Sequence, residues 1–294
     1  MLPAASAPPA ACCGVSERET DIMTVAKKSN RHKLLLYFLV LSFIAFTGCT
    51  TGKVKPVPEA YAPLPEKILD NITRADQQRD TLQAVANIEV NSEKGRYPLK
   101  VALLIKRPSF LRVETIPLVG TPDFFMTLQE DTLKVFLPLK KEFYICRATA
   151  ENLALFLPVS IRGEEMVPIL MGIPPLSDLL KSMAKSPAPS VGNHYRIDMT
   201  SGDGKHQFIW IDRTTGTLAK IEIFGDYRLL YTALYEEYYD ESGIPMPRKV
   251  IITPDDPGKP GVVIRYSDIL FSNSTDTTPF DLAVPPGIEP TILN

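Results

Sequence analysis

The chain has 294 residues, 32 Lys and Arg against 34 Asp and Glu, and a formal net charge of −2. With no basic excess and no Lys/Arg cluster interleaved with aromatics, nucleic acid is excluded as a partner, and electrostatics will not drive binding. An apolar content of 45% supports a full core in one domain, and 27 prolines bias the chain toward strands and loops.

Residues 1–22 are rich in Ala and Pro and show no periodicity, whereas Met23 opens a basic stretch, so the natural start is expected at Met23 and Cys12 and Cys13 carry no structural meaning. Arg31, His32 and Lys33 then precede Leu34–Phe46, a run without a charge that ends in Thr47, Gly48 and Cys49. That run is shorter than the roughly 20 residues a bilayer-spanning helix needs, so residues 1–48 read as leader and cleaved export signal. The ending resembles a bacterial lipobox, with Phe46 where Leu or a small aliphatic is common. The resemblance implies that Cys49 becomes the first mature residue and carries the lipid. Thr50 after the cysteine, in place of Asp, implies the outer membrane, with the chain anchored on its periplasmic side. Five basic and three acidic residues precede Cys49, which leaves the mature chain at about −4. Cys146 then stands alone, and no disulfide framework is expected.

Thr50–Pro65 holds four prolines and no apolar period, so residues 49–65 read as an extended, lipidated tether. From residue 66 a helix of about 15 residues is expected, with Pro65 at its first turn and Ile68, Leu69, Ile72, Ala75 and Leu82 forming one apolar stripe to lay on a sheet. Alternation of period two follows in Ala84–Val90, Leu99–Ile105, Phe110–Ile116, Phe124–Leu128, Leu133–Leu137 and Glu142–Cys146, a meander of short-connected antiparallel strands. Ala150–Leu157 and Glu164–Met171 shift to helical spacing, with breaks expected at Pro158 and Pro168, and Leu176–Met183 suggests another short helix. After a loop at Ser186–Gly192, alternation returns in Tyr195–Thr200, Gln207–Ile211, Leu218–Phe224, Arg228–Tyr235, Pro247–Ile252, Val262–Tyr266 and Ile269–Phe271, with tight hairpins at Asp203-Gly204 and Thr215-Gly216. The fold class is mainly β (α+β). About eleven strands are too many for a flat open sheet, so the domain at 66–288 should curl toward a barrel around a core or cavity, leaving 289–294 as a tail.

Catalytic constellations are missing from the sequence. His194 and His206 fit no zinc spacing, and no G-x-S-x-G, H-E-x-x-H, P-loop or G-x-G-x-x-G occurs, so no enzyme, cofactor or metal is expected. Cys146 beside Arg147 ends a strand pattern with no histidine near it, and Tyr235–Glu241 reads as a solvated strand end. Ile116–Gly120 is more informative. It is an apolar loop where polar turn residues are the rule, so its aliphatics either fold under the body or are offered to a partner. Leu153–Val159 has the same ambiguity.

Pro117, Leu118 and Gly120 in a loop after the first strands, then Ala150–Asn152, then Met171–Pro174, occur in an order that resembles the lipoprotein-localisation receptor LolB and its relatives, the LolA/LolB-like superfamily, over most of residues 66–271. The resemblance implies an incomplete antiparallel barrel whose N-terminal helix and mid-chain helical insert cap an apolar cavity for acyl chains. It places a membrane-insertion role on Leu118, within Pro117, Leu118, Val119 and Gly120, and makes Leu153, Leu155, Phe156 and Met171 candidates for the cavity or its lid. Val119 is an insertion relative to the family's loop, and Phe280–Gly287 resembles the periplasmic carrier branch. The function implied is a lipid-anchored, non-enzymatic envelope protein that accepts or delivers lipoproteins or lipids at the outer membrane, with acyl chains, the membrane and a periplasmic carrier as partners. The alternative is a structural or interaction lipoprotein whose curved sheet is filled by side chains.

Overall fold

A computed structural model describes residues 60–63, 77–92, 95–175, 187–200, 206–226, 228–241, 244–256 and 259–293, with Ile68, Asp70, Thr73, Arg74 and Gly204. The leader, Cys49, most of the tether, and the helix expected at Leu176–Met183 lie outside the described residues. Strict alternation produces long strands. In β2 (Thr81–Ser92) Leu82, Ala84 and Ala86 are buried while Gln83 and Asn87 face water, and in β3 (Gly95–Lys106) Val101, Leu103 and Ile105 are buried. The meander continues through β4 (Phe110–Thr115), β5 (Phe125–Gln129), β6 (Thr132–Leu137) and β7 (Glu142–Arg147).

A helical insert follows. α1 (Ala150–Leu153) starts at Thr149, whose Oγ1 accepts from the Asn152 amide at 3.2 Å, and α2 is Gly163–Leu170. Gly163 permits the close approach of α2 to the sheet, for a Cβ there would lie 2.7 Å from the Ala148 Cβ. Pro168 was expected to break this segment, yet α2 runs through it to Leu170. The second meander is β8 (Pro187–Val191), β9 (His194–Thr200), β10 (His206–Asp212), β11 (Leu218–Gly225), β12 (Arg228–Glu241), β13 (Ile244–Pro254) and β14 (Gly261–Ser272). A 3₁₀ turn at Thr278–Phe280 and β15 (Thr291–Ile292) close the chain, and β1 is Ala60–Pro63.

Among the described residues, fifteen strands join one sheet in the order β1-β8-β9-β10-β11-β12-β13-β14-β2-β3-β4-β5-β6-β7-β15, antiparallel except for β15 against β7. The two meanders meet where β14 pairs with β2, Ile264 opposite Ile88. The sheet is open: β1 and β15 are its edges, and the fold is an incomplete barrel rather than a closed one. One apolar cluster lines its inner face, and Pro58–Asn294 form one compact unit that holds the whole sheet and core. Ile68, in the segment expected to form the first helix, is helical and buried in that cluster, while Leu69 and Ile72 lie outside the described residues.

The strand count differs from the expected eleven for local reasons. β1 and β8 pair with each other through Pro63 and Pro187, and they occupy stretches expected to be tether and loop; prolines are tolerated there because both strands lie at or next to a sheet edge. β15 falls in the expected tail. Val262–Tyr266 and Ile269–Phe271, in contrast, are one strand, since a bulge between Ser267 and Leu270, with Asp268 at φ 49°, shifts the alternation midway.

Candidate functional site

The inner side chains of β2–β6, β13 and β14 do not meet the helical insert everywhere, and the gap is an apolar cavity of about 380 Å³. Val101, Leu103, Leu111, Val113 and Met126 form its sheet wall, Ile252, Val262 and Ile264 its flank, and Phe156–Val159, Ile161, Met166, Ile169 and Leu170 its helical wall. Burial is graded along it. Leu103, Leu111, Met126 and Ile169 at the deep end are sealed from solvent, whereas Ile88, Val90, Phe124, Leu137 and Phe156 are half-buried and Leu99 is exposed. The strand register places Ile88, Val90, Leu99, Phe124 and Leu137 together at one end of the sheet, where the β4–β5 loop leaves, so the mouth opens there.

Thr115, Asp123 and Phe124 line the mouth and also form the neck of that loop. Thr115 Oγ1 donates to Asp123 Oδ1 at 2.6 Å and accepts from the amides of Asp123 and Phe124 at 3.1 and 3.2 Å. With the neck clamped, the tip stands out: Leu118 is 102% and Val119 91% exposed, and Gly120 turns the chain at φ 94°. The β6–β7 hairpin leaves the same end of the sheet, and at its tip Leu139 is 83% exposed beside Lys140 and Lys141. Aliphatic side chains fully in water at two neighbouring tips, around an apolar mouth, form a surface suited to an apolar partner.

Behind the helical wall, polar contacts tie α2 to the sheet. Tyr266 Oη donates to the Leu170 carbonyl at 2.8 Å, and Tyr231 Oη to Glu165 Oε2 at 2.9 Å. Arg79 Nη1 donates to the Met171 and Gly172 carbonyls at 2.7 and 3.3 Å, and Nη2 to the Pro245 carbonyl. Desolvation lowers the Arg79 guanidinium to a pKa of about 10. Burial pushes the Glu165 carboxyl up, against a smaller pull from the Tyr231 hydroxyl. These groups position the wall; none of them lines the apolar cavity.

No family model matches the chain, and no curated protein matches it in sequence. Its structure is similar to that of a DUF1329 family protein from Desulfovibrio piger, with a TM-score of 0.55 at 13% identity, covering 74% of this chain and 96% of that one. The two share a fold. A putative outer membrane lipoprotein-sorting protein domain from Vibrio parahaemolyticus aligns with a TM-score of 0.47 at 12% identity over 74% and 97% of the two chains. A LolA superfamily protein from Nitrosomonas europaea aligns at 0.43 and 15% identity over 72% and 96%. At these identities and scores, only the first speaks for the architecture, and none speaks for chemistry.

The residues singled out from sequence fall in different places. Pro117, Leu118, Val119 and Gly120 are at the mouth, as a protruding loop. Of the four cavity or lid candidates only Phe156 lines the cavity, packing on Tyr144 at 5.2 Å between ring centroids. Leu153 is buried in the core beneath α1, and Leu155, 64% exposed, projects into solvent because α1 ends after one turn. Met171 is buried at the C-terminus of α2, where its carbonyl serves Arg79. Cys146 is buried with its thiol pushed up by desolvation, the opposite of an activated nucleophile. His194 stands edge-on to Trp210 while His206 packs on Phe208 and Phe224, so the two histidines serve separate aromatic contacts. Among the described residues no His, Cys, Asp and Glu cluster could hold a metal ion, and no helix is long and apolar enough to cross a membrane. Leu139 and the cavity walls went unrecognised in the sequence. An exposed Leu between Pro138 and Lys140 was a usable signal for the former. For the latter no local signal exists.

Proposed function

We propose that this chain is a lipid-anchored envelope protein that takes acyl chains of a lipid or lipoprotein into its cavity and exchanges them with a membrane through the rim carrying Leu118 and Val119. The observation that carries this reading is the joining of an apolar cavity of about 380 Å³ to a rim of water-exposed aliphatics. Each methylene moved from water into such a cavity contributes about 0.8 kcal/mol, so capture of a chain needs no covalent step and no catalytic residue. Cys49 supplies the anchor, with the body held at the periplasmic side of the outer membrane, and a periplasmic carrier is the natural source of acylated cargo. The cavity weighs against the alternative of a scaffold whose sheet is filled by its own side chains.

Residues 58–294 contain the entire sheet and core, so they are suitable as a soluble form. Organic extraction of that protein after purification without detergent, followed by mass spectrometry, should release lipid with acyl chains in stoichiometric amount. Protein that purifies free of lipid and also fails to bind a fluorescent fatty acid would overturn the reading.

A further inference from the structure

Resting on the acyl-binding reading above, we propose that the mouth selects a head group that donates a hydrogen bond, an ammonium or an amide N–H beside the acyl chain, and that Asp123 selects it. Among the described residues, Thr115 and Asp123 carry the only side-chain oxygen or nitrogen atoms in the cavity lining, and both are at the mouth. An acyl chain therefore enters tail first, and its head stops beside this pair. The donors there are already used. The Thr115 hydroxyl gives its proton to Asp123 Oδ1 at 2.6 Å, while the amides of Asp123 and Phe124 donate to Thr115 Oγ1 at 3.1 and 3.2 Å. The Thr115 amide donates to the Phe124 carbonyl and that of Ile116 to the Lys100 carbonyl, so a carboxylate or phosphate brought to this neck finds all of these donors engaged. What is left over is an acceptor. Asp123 is exposed, and among the described residues no donor reaches its Oδ2 and no cation pairs with it. Lys140 and Lys141, on the neighbouring hairpin tip, are not part of the lining. The spare capacity of the mouth is thus one carboxylate, which attracts an ammonium, accepts from an amide and repels an anionic head.

Two sources carry such a donor: the ethanolamine ammonium of a phospholipid and the amide at an N-acylated amino terminus. Residues 58–294, stripped of lipid, are titrated by calorimetry below micellar concentrations with dodecylammonium and with lauric acid, whose chains match. Water screens an exposed carboxylate, so the preference is modest, with dodecylammonium bound about fivefold more tightly. Asp123→Asn keeps an oxygen to accept from Thr115 but loses the charge, and should close that gap with the melting curve retained. The gap should also narrow in added salt, which keeps the test open if Asp123→Asn fails to fold. Two matched pairs then identify the source. Lysophosphatidylethanolamine bound more tightly than lysophosphatidylglycerol assigns the donor to a phospholipid ammonium, and N-methyl lauramide bound more tightly than N,N-dimethyl lauramide assigns it to an acylated amino terminus. Lauric acid bound as tightly as dodecylammonium, a gap unchanged by Asp123→Asn or by salt, or no difference within either matched pair would each overturn the selection while leaving acyl binding intact. Absence of binding by every ligand would overturn acyl binding itself, and the selection with it.

Discussion

Arg79 Nη1 lies 2.7 Å from the carbonyl oxygen of Met171, a contact across 92 positions of sequence that binds the start of β2 to the end of α2. The same guanidinium reaches the Pro245 carbonyl at the start of β13, so one buried side chain joins the helical wall of the cavity to both meanders. Its Nη1 meets carbonyls that α2 leaves without partners at its C-terminus, where a positive charge is also favoured by the peptide dipoles.

Arg79→Leu should be strongly destabilising. The substitution leaves the buried carbonyl of Met171 and the partly buried one of Pro245 without these donors and is expected to cost about 3 kcal/mol, read as a lower urea midpoint at unchanged slope. Arg79→Lys keeps the charge but not the planar fork, and should fall between the two. A midpoint for Arg79→Leu equal to that of the natural protein would mean that desolvating the guanidinium offsets all that its contacts contribute.

Glu165 makes stability depend on pH. Burial raises its folded pKa above that of the unfolded chain, near 4.3, so its contribution is fully present below about pH 4 and is lost as pH rises through the raised value. Compared with Glu165→Gln, which stays neutral and can still accept from Tyr231, the natural protein should lose stability between pH 4 and neutrality. Urea midpoints of both proteins at pH 4, 5.5 and 7 measure this difference, and parallel profiles would remove Glu165 as the cause.

Leu118→Glu separates folding from membrane exchange. A side chain fully in water contributes little to stability, so the unfolding free energy should change by no more than an exposed substitution usually allows, about 0.5 kcal/mol. Transfer of bound fatty acid to liposomes should slow markedly, since a carboxylate resists entry into the acyl region. Transfer at the natural rate would assign no membrane role to the loop tip. Leu139→Glu on the neighbouring hairpin is expected to act in the same direction.

Strands were legible in the residues because alternation is a local property: Leu82, Ala84 and Ala86 mark the buried face of β2 whatever the strand pairs with. The apolar tip at Leu118 and Val119 was legible too, because aliphatics in a clamped loop contradict the usual chemistry of turns, although whether they faced in or out was not. The tertiary structure decided the rest. Pairing of β14 with β2, which unites the meanders, joins residues about 180 apart, and no local pattern encodes it. Edge strand β1 and its neighbour β8 were hidden by prolines that strands at or next to a sheet edge tolerate. The cavity is the clearest case. Leu103 lines it and Ile105, two residues on in the same strand and on the same face, is sealed in the core. Both are inward aliphatics, and what separates them is that Leu103 borders the gap beneath the helical insert while Ile105 does not. The insert is held by contacts of Gly163, Glu165, Leu170 and Met171 with Ala148, Tyr231, Tyr266 and Arg79, which come from separate parts of the chain.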